Sequence, residues 1–199
     1  DFVISILASV IYTFARQIVV FPLLAARLSD ADYGTLLTVA GLANVCTAMI
    51  GGSLNNIRLI EDSRYQEQGQ LGDFNLLCLL GGGVSVVFAA VLWRMFALSP
   101  LTALLLGAYL VVSNLYGYAT AFFRLELNFK RALWCNVAVS AAYCSAALVF
   151  ATAELWPAVF LVGEGAGLLF VARTTPFFKE PLVRTPLLSA TAVTLLTYM

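Results

Sequence analysis

The first 173 residues hold six apolar stretches of about 18–25 residues, and each is long enough to cross a bilayer. A hydrocarbon core about 30 Å thick needs roughly 20 helical residues. Backbone inside that core must satisfy its own hydrogen bonds, so the stretches are predicted as helices and not as open strands. They run Phe2–Ala26, Thr35–Ile57, Phe74–Trp93, Leu101–Phe123, Leu133–Ala153 and Leu155–Arg173. A seventh begins at Pro186 and is cut at Met199. The expected fold class is therefore all-α: a polytopic membrane helix bundle with six spans plus a truncated seventh.

Composition agrees. The chain is 61% hydrophobic and 11% charged, against about 25% charged in a soluble domain. Net charge is zero, and no basic block suggests nucleic acid. Histidine is absent, which removes the commonest general base and the commonest metal ligand. Cys46, Cys78, Cys135 and Cys144 lie inside the stretches without CxxC spacing and read as small packing residues. The first stretch is no signal peptide, being longer than the usual apolar region and carrying Arg16 in its middle. A start at Asp1 and a stop about 14 residues into an apolar run predict a piece of a longer membrane protein.

The connections alternate in charge. Arg58–Asp73 holds Arg58 and Arg64; Arg124–Ala132 holds Arg124, Lys130 and Arg131; Arg173–Thr185 holds Arg173, Lys179 and Arg184. The opposite side has only Arg27 and Arg94, so eight basic residues face two. The positive-inside rule then places the N-terminus and the three basic loops in the cytoplasm. Asp73, Ser99-Pro100 and Thr185-Pro186 read as helix starts. Trp93, Trp134 and Trp156 fall at span ends, where an indole sits at headgroup level. Leu133–Ala172 lacks Lys and Arg, and as one helix it would be about 60 Å long. Glu154-Leu155-Trp156-Pro157 supplies the break of a tight hairpin.

Arg16 stands out among the residues that carry chemistry. It lies about 14 residues into its helix, roughly 21 Å along it. A guanidinium at that depth costs about 2.5–3.5 kcal/mol on insertion scales, so it needs a polar cavity or a partner. It reads either as a structural ion pair or as the binder of an anionic head group. Glu164, in Val162-Gly163-Glu164-Gly165-Ala166-Gly167, lies at a matching depth and is the expected partner. It reads as a packing partner, a titrating coupling-ion residue or a sugar contact. Pro22 removes a hydrogen bond to the Ile18 carbonyl and predicts a kink, either a gate or a packing feature. Asn44, Asn55, Asn56, Ser113, Asn114 and Asn136 read as interhelical hydrogen-bonding residues. Gly81-Gly82-Gly83 follows no strand and is read as close packing, not a phosphate loop. Hydrolase, nucleotide-binding, metalloprotease and transferase motifs are missing, so no enzyme, cofactor or metal is expected.

Two segments together resemble a known family. Phe21-Pro22-Leu23-Leu24-Ala25-Ala26-Arg27-Leu28-Ser29-Asp30-Ala31-Asp32-Tyr33-Gly34 is similar to the end of helix one and the first external loop of bacterial polysaccharide (O-antigen type) flippases. Phe122-Phe123-Arg124-Leu125-Glu126-Leu127-Asn128-Phe129-Lys130-Arg131-Ala132 is similar to that family's connection from helix four to five. Gly51–Arg58 resembles the end of its helix two more loosely. The family belongs to the multidrug/oligosaccharidyl-lipid/polysaccharide exporter superfamily, whose members have two six-helix lobes.

The resemblance implies that residues 1–173 form the N-terminal transmembrane lobe, with 174–199 a cytoplasmic linker and the start of helix seven. It further implies a multi-pass protein of the bacterial inner membrane. Its function would be export of undecaprenyl-pyrophosphate-linked oligosaccharide for lipopolysaccharide or exopolysaccharide synthesis. Arg16, Glu164, Arg58 and Arg124 are then the candidate substrate-binding residues, and Pro22 the candidate gating kink. The expected partners are bilayer lipid, the lipid-linked oligosaccharide and a polysaccharide polymerase or other assembly protein. The alternatives are a drug/cation antiporter of the same superfamily and a non-transporting membrane assembly subunit. Topology offers the first test: in intact cells a Ser99→Cys variant is expected to react with a membrane-impermeant thiol reagent, and Gln68→Cys is not. Labelling of Gln68→Cys from outside would reverse the orientation.

Overall fold

A computed structural model describes residues 2–67 and 74–175. The expectations placed on Gln68, Asp73, Lys179, Arg184, Thr185-Pro186 and the seventh stretch lie outside those residues. Among the described residues all regular structure is helical. Six helices are long and apolar enough to cross a membrane: α1 (Val3–Ala25), α2 (Asp30–Ile60), α3 (Asn75–Phe96), α4 (Pro100–Leu125), α5 (Phe129–Phe150) and α6 (Trp156–Thr174).

Local chemistry sets the boundaries. Ser29 caps α2 by accepting from the Asp32 N–H at 3.1 Å, Ser99 caps α4 by accepting from Thr102 at 3.1 Å, and Asn128 caps α5 by accepting from Arg131 at 3.2 Å. Pro100 and Pro157 stand in the first turns of α4 and α6, where no N–H is missed. Two left-handed residues, Ala97 and Leu127, turn the chain between α3 and α4 and between α4 and α5. The long run without Lys or Arg breaks at Ala151–Leu155, around the Glu154 turn. Exposed Val3, Leu80, Val87, Leu104, Val149 and Leu169 give the outer surface an apolar character suited to hydrocarbon.

Three expectations need correction. The second helix does not end at Ile57; helical backbone continues through Glu67. Arg58 is therefore no loop residue. It is 4% exposed, with its guanidinium 4.2 Å from the Phe122 ring centroid and hydrogen-bonded to the Tyr118 hydroxyl. The aromatic end of α4 supplies a cation–π surface that holds the charge inside the bundle. Trp156 stands at a span end, as expected, but its ring is turned into the bundle and not toward the outer surface, edge-on to Phe160 at 6.0 Å, because the first turn of α6 faces inward; Trp93 and Trp134 are exposed. Pro22 disturbs its helix upstream: Ala15–Val20 is π-helical, and the Phe21 N–H reaches back to the Arg16 carbonyl. The wider i→i−5 register makes room for a ring that clashes with the carbonyl four residues before it.

Packing centres on α6, which contacts α4 and α5 most extensively; α3 packs on α4, and α1 packs on α5. A second π-helical segment, Ala48–Gly52 in α2, rests against α4. There the Gly51 N–H donates to Asn114 Oδ1 at 2.8 Å, and Asn114 donates to Ser85 on α3 at 2.7 Å. This fully buried amide joins three helices, the role expected of it. Gly163 and Gly167, four residues apart on α6, admit the rings of Tyr143 and Tyr116: a Cβ would meet them at 2.6 Å and 2.5 Å. Gly165 between them faces open space. Small residues at this spacing let helices approach closely without any gain from hydrophobic burial. Gly163→Ala is expected to cost about 1–3 kcal/mol through overpacking, read as a lower midpoint of thermal unfolding in detergent. Gly165→Ala is expected to leave that midpoint unchanged or raised, and equal effects of the two would refute this packing.

Candidate functional site

Polar side chains converge where α1, α5 and α6 meet. Glu164, 3% exposed, projects from the middle of α6 between the two packing glycines. Its Oε1 accepts from the Tyr12 hydroxyl at 2.9 Å and from the Tyr143 hydroxyl at 2.7 Å. Arg16 stands one turn beyond Tyr12 on the π-helical stretch of α1. Its guanidinium donates to Asn44 Oδ1 on α2 at 2.8 Å, makes a longer contact to the Tyr12 hydroxyl at 3.4 Å, and lies 5.3 Å from the Phe160 ring centroid.

Arg16 and Glu164 are thus joined through a phenol and not by the direct ion pair expected of them. The reason is packing. α1 lies mainly against α5, and equal depth along two helices does not bring their side chains together laterally. Tyr12, the longer reach, spans the gap. Its hydroxyl donates to the carboxylate and accepts from the guanidinium, so each charge gains a hydrogen-bonded route to its opposite. Such charge-assisted bonds are about twice as strong as neutral ones, and a chain of them in low dielectric offsets part of the cost of withdrawing both ions from water. Phe160, fully buried, gathers Tyr109, Tyr143, Phe21 and Trp156 around it at 5.6–6.0 Å and gives the guanidinium an aromatic floor.

Tyr12 is also a wall of a cavity of about 370 Å³ between α1, α4 and α5, in the half of the bundle nearer the N-terminus. Ser5, Ser9 and Thr13 line it from α1, Tyr116, Thr120 and Arg124 from α4, and Asn136 and Cys135 from α5. Hydroxyl and amide groups therefore face one another across an interior otherwise built of aromatic and aliphatic groups. Asn136 donates to the Ala8 carbonyl at 3.1 Å and accepts from Tyr116 at 3.3 Å, tying the three helices together. Arg124, exposed at the end of α4, brings a cation to the cavity. The polar cavity is formed by α1, α4 and α5, with Glu164 behind its Tyr12 wall.

Of the candidate residues, Arg124 lines the cavity, Arg16 and Glu164 sit beyond it on either side of the Tyr12 hydroxyl, and Pro22 ends the π-helical stretch that carries Arg16. Arg58 is packed elsewhere, on Tyr118 and Phe122. Sequence reasoning passed over Tyr12, Tyr116, Tyr143 and Phe160. Tyr12 carried a usable signal, since residues four apart share a helix face and it precedes Arg16 by four. Tyr143 and Phe160 carried none, because an aromatic residue in an apolar span reads as packing.

Compared with known protein families, characterised proteins and solved structures, the chain matches none. The site generates its own test. If Tyr12 and Glu164 act as a bonded pair, Tyr12→Phe and Glu164→Gln are expected to be non-additive, with a coupling of about 0.5–3 kcal/mol in a double-mutant cycle of detergent stability. Additive losses would show that the hydroxyl and the carboxylate do not interact.

Proposed function

We propose that this chain translocates lipid-linked oligosaccharide of the undecaprenyl-pyrophosphate type across the bacterial inner membrane, with its N-terminus in the cytoplasm. The observation that carries the reading is the cavity of about 370 Å³ between α1, α4 and α5. A hydroxyl-lined chamber among bilayer-length helices is costly to build around nothing polar. Its lining matches the two polar parts of such a substrate. Ser, Thr, Tyr and Asn side chains exchange hydrogen bonds with sugar hydroxyls, and Arg124 offers the planar fork that fits a phosphate.

Residue roles follow from position. Arg124, reached first from the predicted cytoplasmic side, binds the pyrophosphate. Arg16, one phenol deeper, becomes available once Tyr12 moves. Glu164 neutralises Arg16 at rest. The resemblance of Phe21–Gly34 and Phe122–Ala132 to the flippase family supports the same reading. Arg58, stacked on Phe122, is assigned a packing role. Glu164 favours one second reading, drug/cation antiport in the same superfamily, because a buried carboxylate inside a carrier is a group that a cation exchanges with.

The test is glycan export in a flippase-null strain, using the complete reading frame with protein levels matched by immunoblot. Losing one charge-assisted phosphate contact, about 1.5–3 kcal/mol, predicts an export defect of roughly tenfold or more for Arg124→Ala and Arg16→Ala. Arg16→Lys is expected to rescue in part, since an ammonium lacks the bidentate fork. Wild-type export by both alanine variants would reject the substrate-binding role. Glu164→Gln separates the two readings. If Glu164 only neutralises Arg16, Gln is tolerated better than Ala; if it exchanges a cation, both fail alike.

A further inference from the structure

The face of α4 opposite the polar cavity carries a second concavity of different chemistry. A groove of about 620 Å³ runs between α3 and α4, and its lining is apolar. Small residues form its floor: Ala89 and Ala90 on α3, Gly107 and Ala108 on α4. It extends along α4 from Pro100 to Val112. Twelve residues of helix are about 18 Å, close to half of a hydrocarbon core about 30 Å thick. The groove is therefore as deep as one leaflet, and it starts where both helices end. Trp93 lines it near that end, and the Arg94 guanidinium lies 5.6 Å from the Trp93 ring centroid. No carboxylate pairs with Arg94 among the described residues.

We infer that this groove is a binding site for one anionic phospholipid of the adjoining leaflet, its acyl chain seated between α3 and α4 and its phosphate on Arg94. Three observations point to that occupant. An apolar slot one leaflet deep fits an acyl chain and offers nothing to a glycan. An indole beside it lies at the level where tryptophan meets headgroups. An exposed arginine held over that indole is a cation in reach of the phosphate, and its fork matches phosphate oxygens. Zwitterionic lipid fills the slot equally well but gains less from the guanidinium, so the site selects charge at the headgroup and shape at the chain. The site does not depend on the transport reading: it shares α4 with the cavity but none of its lining residues.

The test uses the full protein with Trp134→Phe, which removes the other exposed indole of this sequence, reconstituted in phosphatidylcholine vesicles. A low, equal mole fraction of bromine-labelled phosphatidylglycerol or bromine-labelled phosphatidylcholine is then included, and quenching of tryptophan fluorescence is read. One basic residue near the surface predicts a preference of roughly fivefold for the anionic lipid. Arg94→Gln is expected to equalise the two lipids while quenching persists. Ala108→Phe, at an exposed position where the ring enters the groove, is expected to lower quenching by both. Equal quenching by the two lipids in the parent protein, or a preference unchanged by Arg94→Gln, would overturn the site. The vesicle assay reads no transport, so its failure and an export failure are separable.

Discussion

In a bundle of helices surrounded by hydrocarbon, a polar group left without a partner costs several kcal/mol. The interior of this protein is organised by the ways that cost is met. Most backbone groups are satisfied within their own helices. At one of the two places where a helix departs from its α-register, a side chain from a neighbour takes over. The Gly51 N–H lies on the π-helical part of α2, and Asn114 of α4 receives it. Asn114 in turn places its own amide hydrogens on Ser85 and on the Leu110 carbonyl. One buried amide thus fixes α2, α3 and α4 against each other, and no water is needed. The same demand is half met at Asn55, whose amide hydrogens go to the Gly117 carbonyl at 2.8 Å and to Thr120 at 3.0 Å, while its buried Oδ1 accepts no hydrogen bond among the described residues.

The charges obey that rule in a stricter form. Arg58 is held by aromatic rings and a phenol, Arg27 by the Leu148 carbonyl at the end of α5, and Arg131 by Glu126 and the Thr174 carbonyl at the end of α6. Cations at helix C-termini also meet the negative end of the helix dipole. Arg16 and Glu164 lie well inside their helices, and both hydrogen-bond to tyrosine. A phenol is suited to the task because its hydroxyl donates and accepts at once. It links an acid to a base without bringing either out of its helix. It also leaves each ion one hydrogen bond away from a new partner, which a direct ion pair would not.

The helices themselves were legible from the chain because a bilayer imposes one length and one composition. Five of the six expected spans overlap their helices to within four residues at either end. The second differs at its start, where the Ser29 cap opens the helix at Asp30, five residues before Thr35, and its helical backbone also runs on past Arg58 to Glu67. Hydropathy treats an arginine as the edge of a span, whereas Phe122 and Tyr118, more than fifty residues later, make it an interior residue. Trp156 failed for a related reason: its sequence position marks a span end, but the azimuth of the first turn of α6 turns it inward. The caps at Ser29, Ser99 and Asn128 are local, and Ser99-Pro100 was readable from two residues. The Arg16 site was half legible. Depth and charge identified Arg16 and Glu164, but which helices adjoin is a property of packing. The order α1–α5–α6 placed Tyr12 and Tyr143 between them.

The arrangement also gives α4 two unlike faces along its length. Its first half carries Ala103, Gly107 and Ala108 beside the apolar groove, and its second half carries Tyr116, Thr120 and Arg124 beside the polar cavity. The change falls at Ser113-Asn114, both buried. Asn114 is the joint between the two regimes. Below it, α1, α4 and α5 are tied by hydrogen bonds among amides, hydroxyls and carbonyls; above it, α3 meets α4 along the groove through small side chains and van der Waals packing, while Thr102 still donates to the Glu154 carbonyl on the other side. Bonds of the first kind are directional and resist sliding. Contacts of the second kind tolerate it, because one methyl-sized bump is like another. Asn114 therefore ties α2, α3 and α4 together at the level where the polar cavity gives way to the apolar groove.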